Sequence, residues 1–425
     1  MSASPHPFRI RDFRAFWFAR LVTTIAQNSM VVVIGWQVYD IARRTMPPRE
    51  AALQLGLVGV FQFVPLLALT LIVGWTADRV DRRWIARAAV LLEAGCAAAL
   101  GWLAWHDTTS LPALFAVAAL LGVARAFASP ALSALAPNLV PAAVLPNAIA
   151  LSSIAWQTGA ILGPAAGGYL YAHSHWLPYA ASGGLFALAF VALLTIRPVP
   201  RTSLDGKANP WAQMVDGLRY VRHNRLVLGA ISLDLFAVLL GGATAMLPIF
   251  ARDVLAVGPA GLGHLRAAPA VGAALVALWF AFRPLRNNVG IKMLGAVAVF
   301  GAATIAFGLS RWLPLSLGCL ALLGAADMFS VYVRQSLIQI YTPDAMRGRV
   351  GAVSTLFISG SNELGEAESG FLAALVGPVA AVVAGGVGAI AVTLLWARWF
   401  PEISRAKTFA PPQTLEDIPV QENAK

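Results

Sequence analysis

The sequence predicts an all-α membrane protein with 12 transmembrane helices in two pseudo-symmetric six-helix halves, and three observations carry that prediction. Hydrophobic residues make up 58% of the chain and charged residues 12%, far from the roughly half and one quarter of ordinary globular chains. Apolar runs of about 20 residues, the length a bilayer-crossing helix needs, recur along the whole chain. The basic residues are also sorted. With the N-terminus cytoplasmic, 22 of the 31 lysines and arginines fall in inside segments and 6, Arg266 among them, in outside segments. That bias sets orientation and puts both termini inside. The net charge of +11 therefore marks topology, and no nucleic-acid partner is implied.

The spans read in order as Phe16–Tyr39, Leu53–Trp75, Trp84–Trp105, Leu111–Ala136, Ala148–Tyr171, Leu177–Ile196, Leu226–Phe250, Gly261–Phe282, Ile291–Leu309, Leu313–Ile340, Val350–Leu375 and Val379–Trp396. Glycine and proline within them are tolerated in a membrane bundle and let helices approach closely. Cys96 and Cys319 each fall inside a span, so no disulfide framework is implied. The charged first 15 residues and the long first apolar run do not fit a cleavable signal peptide.

Composition divides the chain into an N-terminal six-helix bundle (1–197), a polar cytoplasmic linker (198–225), a C-terminal six-helix bundle (226–400) and a tail expected to be disordered and cytosolic (401–425). Within the linker, Trp211–Arg222 reads as an amphipathic helix at the cytoplasmic interface. The halves repeat: Tyr39-Asp40-Ile41 matches Arg252-Asp253-Val254, Leu55-Gly56 matches Leu262-Gly263, and Pro137-Asn138 matches Pro343-Asp344, at offsets of 213, 207 and 206. Parallel halves of this kind place a substrate site between them, near the midplane.

Polar residues inside the spans are the candidate site. Gln27 and Asn28 in span 1 face either a wet cavity or a neighbouring helix. Span 3 holds Glu93 and span 4 holds Arg125, whose guanidinium must be paired or hydrated. Asp234 lies in span 7, and Asp327 and Arg334 lie seven residues apart on one face of span 10. In span 11, Asn362, Glu363 and Glu366 share a face. These groups carry protons or substrate, or else form static ion pairs that lock helices together. Asp234, without a basic neighbour within a turn of its own helix, is the expected proton carrier; Asp327 is expected to pair with Arg334. No His-Glu-x-x-His, Walker loop or nucleophile elbow is present, so catalysis, ATP-driven pumping, a metal and a cofactor are not expected.

Two stretches carry a family resemblance. Gly74-Trp75-Thr76-Ala77-Asp78-Arg79-Val80-Asp81-Arg82-Arg83 resembles the loop between spans 2 and 3 of major facilitator superfamily transporters. Gly74, Asp78, Arg79, Arg82 and Arg83 match that motif, and Asp81 stands where the family usually has glycine. Such a loop can switch its pairing between conformations, or it can be a basic turn that only fixes topology. In span 5, Gly159, Gly163, Pro164, Gly167 and Gly168 are similar to the signature of the superfamily's antiporters, with Ala150 where the extended pattern has another glycine. Gly159, Gly163 and Gly167 recur every four residues, forming one stripe for close packing.

Over about 390 residues the chain resembles the enterobactin-exporter-like and macrolide-efflux branch, most closely at 233–240 and 334–350. The resemblance implies the major facilitator fold, with spans 1, 4, 7 and 10 around a central cavity and Arg125 facing it. It also implies proton-coupled antiport that exports a siderophore, drug or similar amphiphile by alternating access. The expected partners are a small-molecule substrate, protons and the lipid bilayer, with the protein a monomer in a bacterial-type inner membrane. Two alternatives remain at this point: a facilitator or importer of a polar metabolite, and a non-transporting membrane sensor.

Overall fold

The computed structural model describes residues 6–141, 144–198, 210–283, 285 and 287–409; for 70–79, 129, 130, 133, 134, 136, 137, 146, 210–213, 344, 345, 359 and 363 it describes the backbone alone. No strand occurs among the described residues. The helices are α1 (Arg11–Thr45), α2 (Pro48–Arg79), α3 (Arg82–Trp105), α4 (Leu111–Leu135), α5 (Leu145–His173), α6 (Leu177–Leu194), α7 (Pro210–His223), α8 (Arg225–Leu240), α9 (Gly258–Phe282), α10 (Val289–Leu309), α11 (Leu313–Ile340), α12 (Asp344–Val376), α13 (Pro378–Trp399) and α14 (Pro401–Arg405). Each predicted span has its helix. Among the described residues, ten segments are long and apolar enough to cross a membrane. The other two predicted spans, α5 and α12, run 29 and 33 residues, longer than a bilayer requires.

Helix ends overrun the predicted runs because an apolar window registers only the hydrocarbon core. α1 has 35 residues, about 52 Å at 1.5 Å per residue, and so projects past a core of about 30 Å. Span 7 departs further from the prediction. α8 stops at Leu240, and after Gly241-Gly242 the chain continues as a 3-10 turn, one α turn ending at Ile249, and a π turn over Phe250–Val254. Discontinuous helices of this kind are tolerated where the backbone lines a cavity.

Two parts of the chain differ from expectation. α7 forms where the amphipathic stretch was predicted, but it docks on the second half instead of resting only on lipid. Asp216 lies 3.2 Å from Arg349, Tyr220 donates to the Tyr341 carbonyl at 2.8 Å, and Val221 is buried. The start of the supposed disordered tail is also ordered. Residues 401–405 form α14, Ile403 is fully buried, Glu402 meets Arg225 at 2.7 Å, and Gly290 N–H donates to the Ala406 carbonyl at 3.0 Å. Three apolar side chains, Phe400, Ile403 and Phe409, join the core beside α10, which a polar average over the tail conceals. Residues 410–425 lie outside the described residues.

Within the first half α1 packs on α5 and α6, α3 on α4 and α6, and α2 on α4; in the second, α9 packs on α11, and α10 on α11 and α13. The halves meet along two seams, α2 with α12 and α5 with α9. In repeat terms these are span 2 with span 11 and span 8 with span 5, so each seam is the symmetry image of the other. The repeated Leu-Gly pair marks both. A Cβ on Gly56 would lie 2.8 Å from Gly370 Cα, and a Cβ on Gly263 would lie 2.6 Å from the Pro164 carbonyl oxygen. Both approaches are backbone to backbone, closer than any side chain permits.

Candidate functional site

Between the seams lies a cavity whose empty space, counting the part open to solvent, is about 460 Å³. Its walls are apolar: Val31, Val32, Leu55 and Val58 from the first half, Leu247 and Leu262 from the second. Four polar side chains join them, Gln62 on α2, Thr244 at the break after α8, Arg266 on α9 and Glu366 on α12. Arg266 Nη1 donates to the Thr244 carbonyl at 2.8 Å, and its Nη2 lies 3.5 Å from Glu366 Oε1. Arg125 on α4 donates to Gln62 Oε1 at 2.8 Å, which brings a second guanidinium to the cavity wall.

Of the residues singled out in sequence, Glu366 lines this cavity and Arg125 reaches it through Gln62. Arg266 was assigned to an outside segment; it sits inside α9 and faces the cavity. Its proximity to the start of the apolar run concealed it, since charges near span ends usually reach the interface.

One end of the cavity is bridged. Where α1 approaches α2, Arg252 of the second half meets Asp40 of the first at 2.7 Å. Asp253 of the second half in turn receives Arg43 at 3.2 Å and the Tyr39 hydroxyl at 2.5 Å. Asp40 and Asp253 are the repeat-equivalent acids, and each takes an arginine from the opposite half. These side chains are each about a quarter exposed, from 23 to 28%. Neutralising both acids (Asp40→Asn with Asp253→Asn) is expected to weaken the bridge by about 1 kcal/mol, roughly a fivefold shift toward opening at that end. Alkylation of a cysteine placed at Val31 checks this, against a low background because Cys96 and Cys319 are buried. An unchanged alkylation rate would show that the ion pairs do not hold the end shut.

The acids of spans 7 and 10 are arranged differently from the sequence expectation. Arg334 pairs with Asp234 on α8, and both are buried, with side chains 3% and 8% exposed. Asp234 therefore has a tertiary partner that its own helix does not reveal, and Asp327 is not the partner of that ion pair. Asp327 remains half-buried on the same helix. Gln27 is tied up as well. It donates to Glu93 Oε1 at 2.5 Å, and Glu93 is fully buried, so this contact belongs to the interior of the first half. Asn28 donates to the Thr24 carbonyl of its own helix at 2.9 Å. Both amides thus serve helix packing. The side chain of Glu363 lies outside the described residues.

The side chains of Gly74, Asp78 and Arg79 also lie outside the described residues. Further along, Asp81 caps α3, accepting from the Arg83 N–H at 2.9 Å. Its φ of −59° needs no glycine, so the departure from the motif leaves the turn intact. Asp81 also grips the buried Arg83 guanidinium at 2.6 Å, and Arg83 donates to the Ile196 carbonyl at 3.1 Å. Arg87 joins it, donating to the Leu193 carbonyl at 2.9 Å. Cations here satisfy the carbonyls that end α6, where the helix dipole favours positive charge. Arg82, the remaining motif residue, opens α3.

The span 5 glycines serve two interfaces. Cβ atoms on Gly159, Gly163 and Gly167 would lie 2.6 Å from Thr24 Cβ, 2.6 Å from the Ile25 carbonyl oxygen and 3.0 Å from Ser29 Cα, all on α1. That stripe locks α5 to α1 inside one half. Pro164 and Gly168 point the other way, to Gly263 on the α9 seam.

Comparison with known proteins agrees with this architecture. A family described as transmembrane secretion effector matches residues 2–423. The chain belongs to that family, within the major facilitator superfamily. It is 28% identical over 416 residues to the enterobactin exporter EntS of Escherichia coli O1:K1, covering 95% of each chain. It is likewise 28% identical over 414 residues to the EntS of Shigella boydii serotype 18, again covering 95% of each. Among solved structures, a bacterial homologue of the human lysosomal transporter Spinster, inward-facing and occupied, aligns with a TM-score of 0.72 at 17% identity, over 94% of this chain and 99% of that one. A D-xylose-proton symporter aligns with a TM-score of 0.69 at 16% identity, over 95% and 100%. This superfamily member is a multi-pass membrane transporter, with the all-α, two-bundle fold its sequence predicts.

Proposed function

We propose that this transporter is a proton-coupled antiporter of the cytoplasmic membrane that exports an amphiphilic small molecule, a siderophore or a drug-like compound, by rocking its halves about a central site. The observation that carries the reading is the cavity itself: apolar walls, a few polar groups, two halves meeting along equivalent seams, and one bridged end. With both termini cytoplasmic, as the distribution of basic residues favours, the bridged end faces outward and this conformation is closed to the outside. Relatives named as enterobactin exporters, and the antiporter-type glycines, support export. Transport into everted vesicles with a pH-gradient readout tests the whole reading. Substrate-triggered proton release supports it, and uptake driven in the opposite direction, or none with any ligand, defeats it.

Asp327 is the acid to which the coupling proton is assigned. Arg334 is held in the ion pair with Asp234, so Asp327, on the same helix as Arg334 and outside that pair, is the acid left to take up a proton. Asp327→Asn is expected to abolish uphill export while leaving downhill exchange measurable, because an amide cannot take up and release the proton. Uphill export with unchanged proton stoichiometry would remove Asp327 from that role.

A further inference from the structure

The reading of the cavity as the substrate site leaves the chemistry of the substrate open, and the polar corner of the cavity addresses it. Among the described residues lining the cavity, Arg266 is the one cation and Glu366 the one anion. Their separation of 3.5 Å exceeds the roughly 2.7–2.9 Å of a tight charge-assisted hydrogen bond. Glu366 is thus a loose counter-ion. A guanidinium has five N–H donors, and Arg266 gives one at 2.8 Å to the Thr244 carbonyl. Its side chain is 25% exposed, so it is accessible from the cavity. The second guanidinium, Arg125, donates to the lining residue Gln62 at 2.8 Å, bringing further positive charge to the cavity's surroundings.

A cationic ligand at Glu366 would lie beside the Arg266 guanidinium 3.5 Å away, and like charges at such a distance disfavour each other. An anionic ligand can share Arg266 with Glu366, because the planar fork has donors for both and matches two-oxygen anions bidentately. The apolar surfaces of Val31, Val32, Leu55 and Leu262 then cover the rest of the molecule.

We propose that the cavity takes an amphiphile through an anionic head, a carboxylate or a similar two-oxygen anion, with Arg266 as its ligand and Arg125 as the supporting charge. The inference deepens the transporter reading and can fail separately from it.

The test uses the purified full-length protein in detergent and three probes of nearly equal shape: 2-naphthoate, neutral 2-naphthamide and cationic 2-naphthylmethylamine. Binding is read from the shift in thermal unfolding. Naphthoate is expected to bind about tenfold or more tighter than naphthamide, the scale of a hydrogen bond to a charged group. Arg266→Gln should erase that ratio, and Arg266→Lys should retain part of it as a point charge without the fork. Glu366→Gln should preserve or tighten naphthoate binding by removing the competing carboxylate. Melting without ligand establishes that each variant is folded.

Equal binding of naphthoate and naphthamide, no binding of either, a ratio that survives Arg266→Gln, or tightest binding by the amine with loss in Glu366→Gln would each overturn the proposal. Transport without charge discrimination would overturn this inference alone, whereas naphthoate binding without transport in vesicles would count against the transport reading alone.

Discussion

Asp234→Asn is expected to be among the most damaging single substitutions in the chain, through folding and not through proton transfer. It leaves Arg334, whose side chain is 3% exposed, as a buried charge without its counter-ion. Breaking a buried pair from one side typically costs about 3–5 kcal/mol. The buried Nε of Arg334 already lacks a hydrogen-bond partner, and Asp327 on the same helix stands outside the ion pair. The detergent-solubilised variant should melt well below the parent and accumulate poorly in the membrane. Asp234→Asn combined with Arg334→Met removes both charges and should recover much of the loss, the non-additivity expected of direct partners. A single variant that melts like the parent would show that the pair contributes nothing to stability.

The second large effect is expected at Gly263. A leucine there must displace the Pro164 carbonyl oxygen, which already lies 2.6 Å from where a Cβ would stand. Backbone cannot yield as a flexible side chain can, and overpacking costs about 1–3 kcal/mol or more. Because the clash falls on the seam between halves, Gly263→Leu should abolish transport while each half remains folded. Gly163→Leu offers the contrast. It strikes α1 inside one half and should lower the melting temperature first. If Gly263→Leu transports normally, the α5–α9 seam is not the sliding surface.

The fold was legible because its determinants are local and one-dimensional. Apolar length, the sorting of basic residues and the Leu55-Gly56 to Leu262-Gly263 repeat can each be read without knowing which helices touch. The site was legible only in part, for the opposite reason. Asp327 and Arg334 share a helix face, which made them look like partners, yet the partner of Arg334 comes from α8. Gln27 and Glu93 are 66 positions apart, and nothing on either helix announces the other. Arg266 was hidden by its closeness to a span end, and the break after Leu240 by an apolar run that continues through it. Pairing between helices is a tertiary property, and side-chain identity at a given depth does not encode it.

The paired bridges at the closed end have a consequence for the surroundings of the protein. Their charges lie 2.7 to 3.2 Å apart and are about a quarter exposed, well inside the Debye length of about 8 Å at 0.15 M, and partly buried pairs are screened little. Both bridges are therefore expected to persist together as salt rises, since each is the image of the other. If the halves rock as proposed, the sealed form should hold across compartments of different salinity, and its opening should depend on what binds inside more than on the medium at that face.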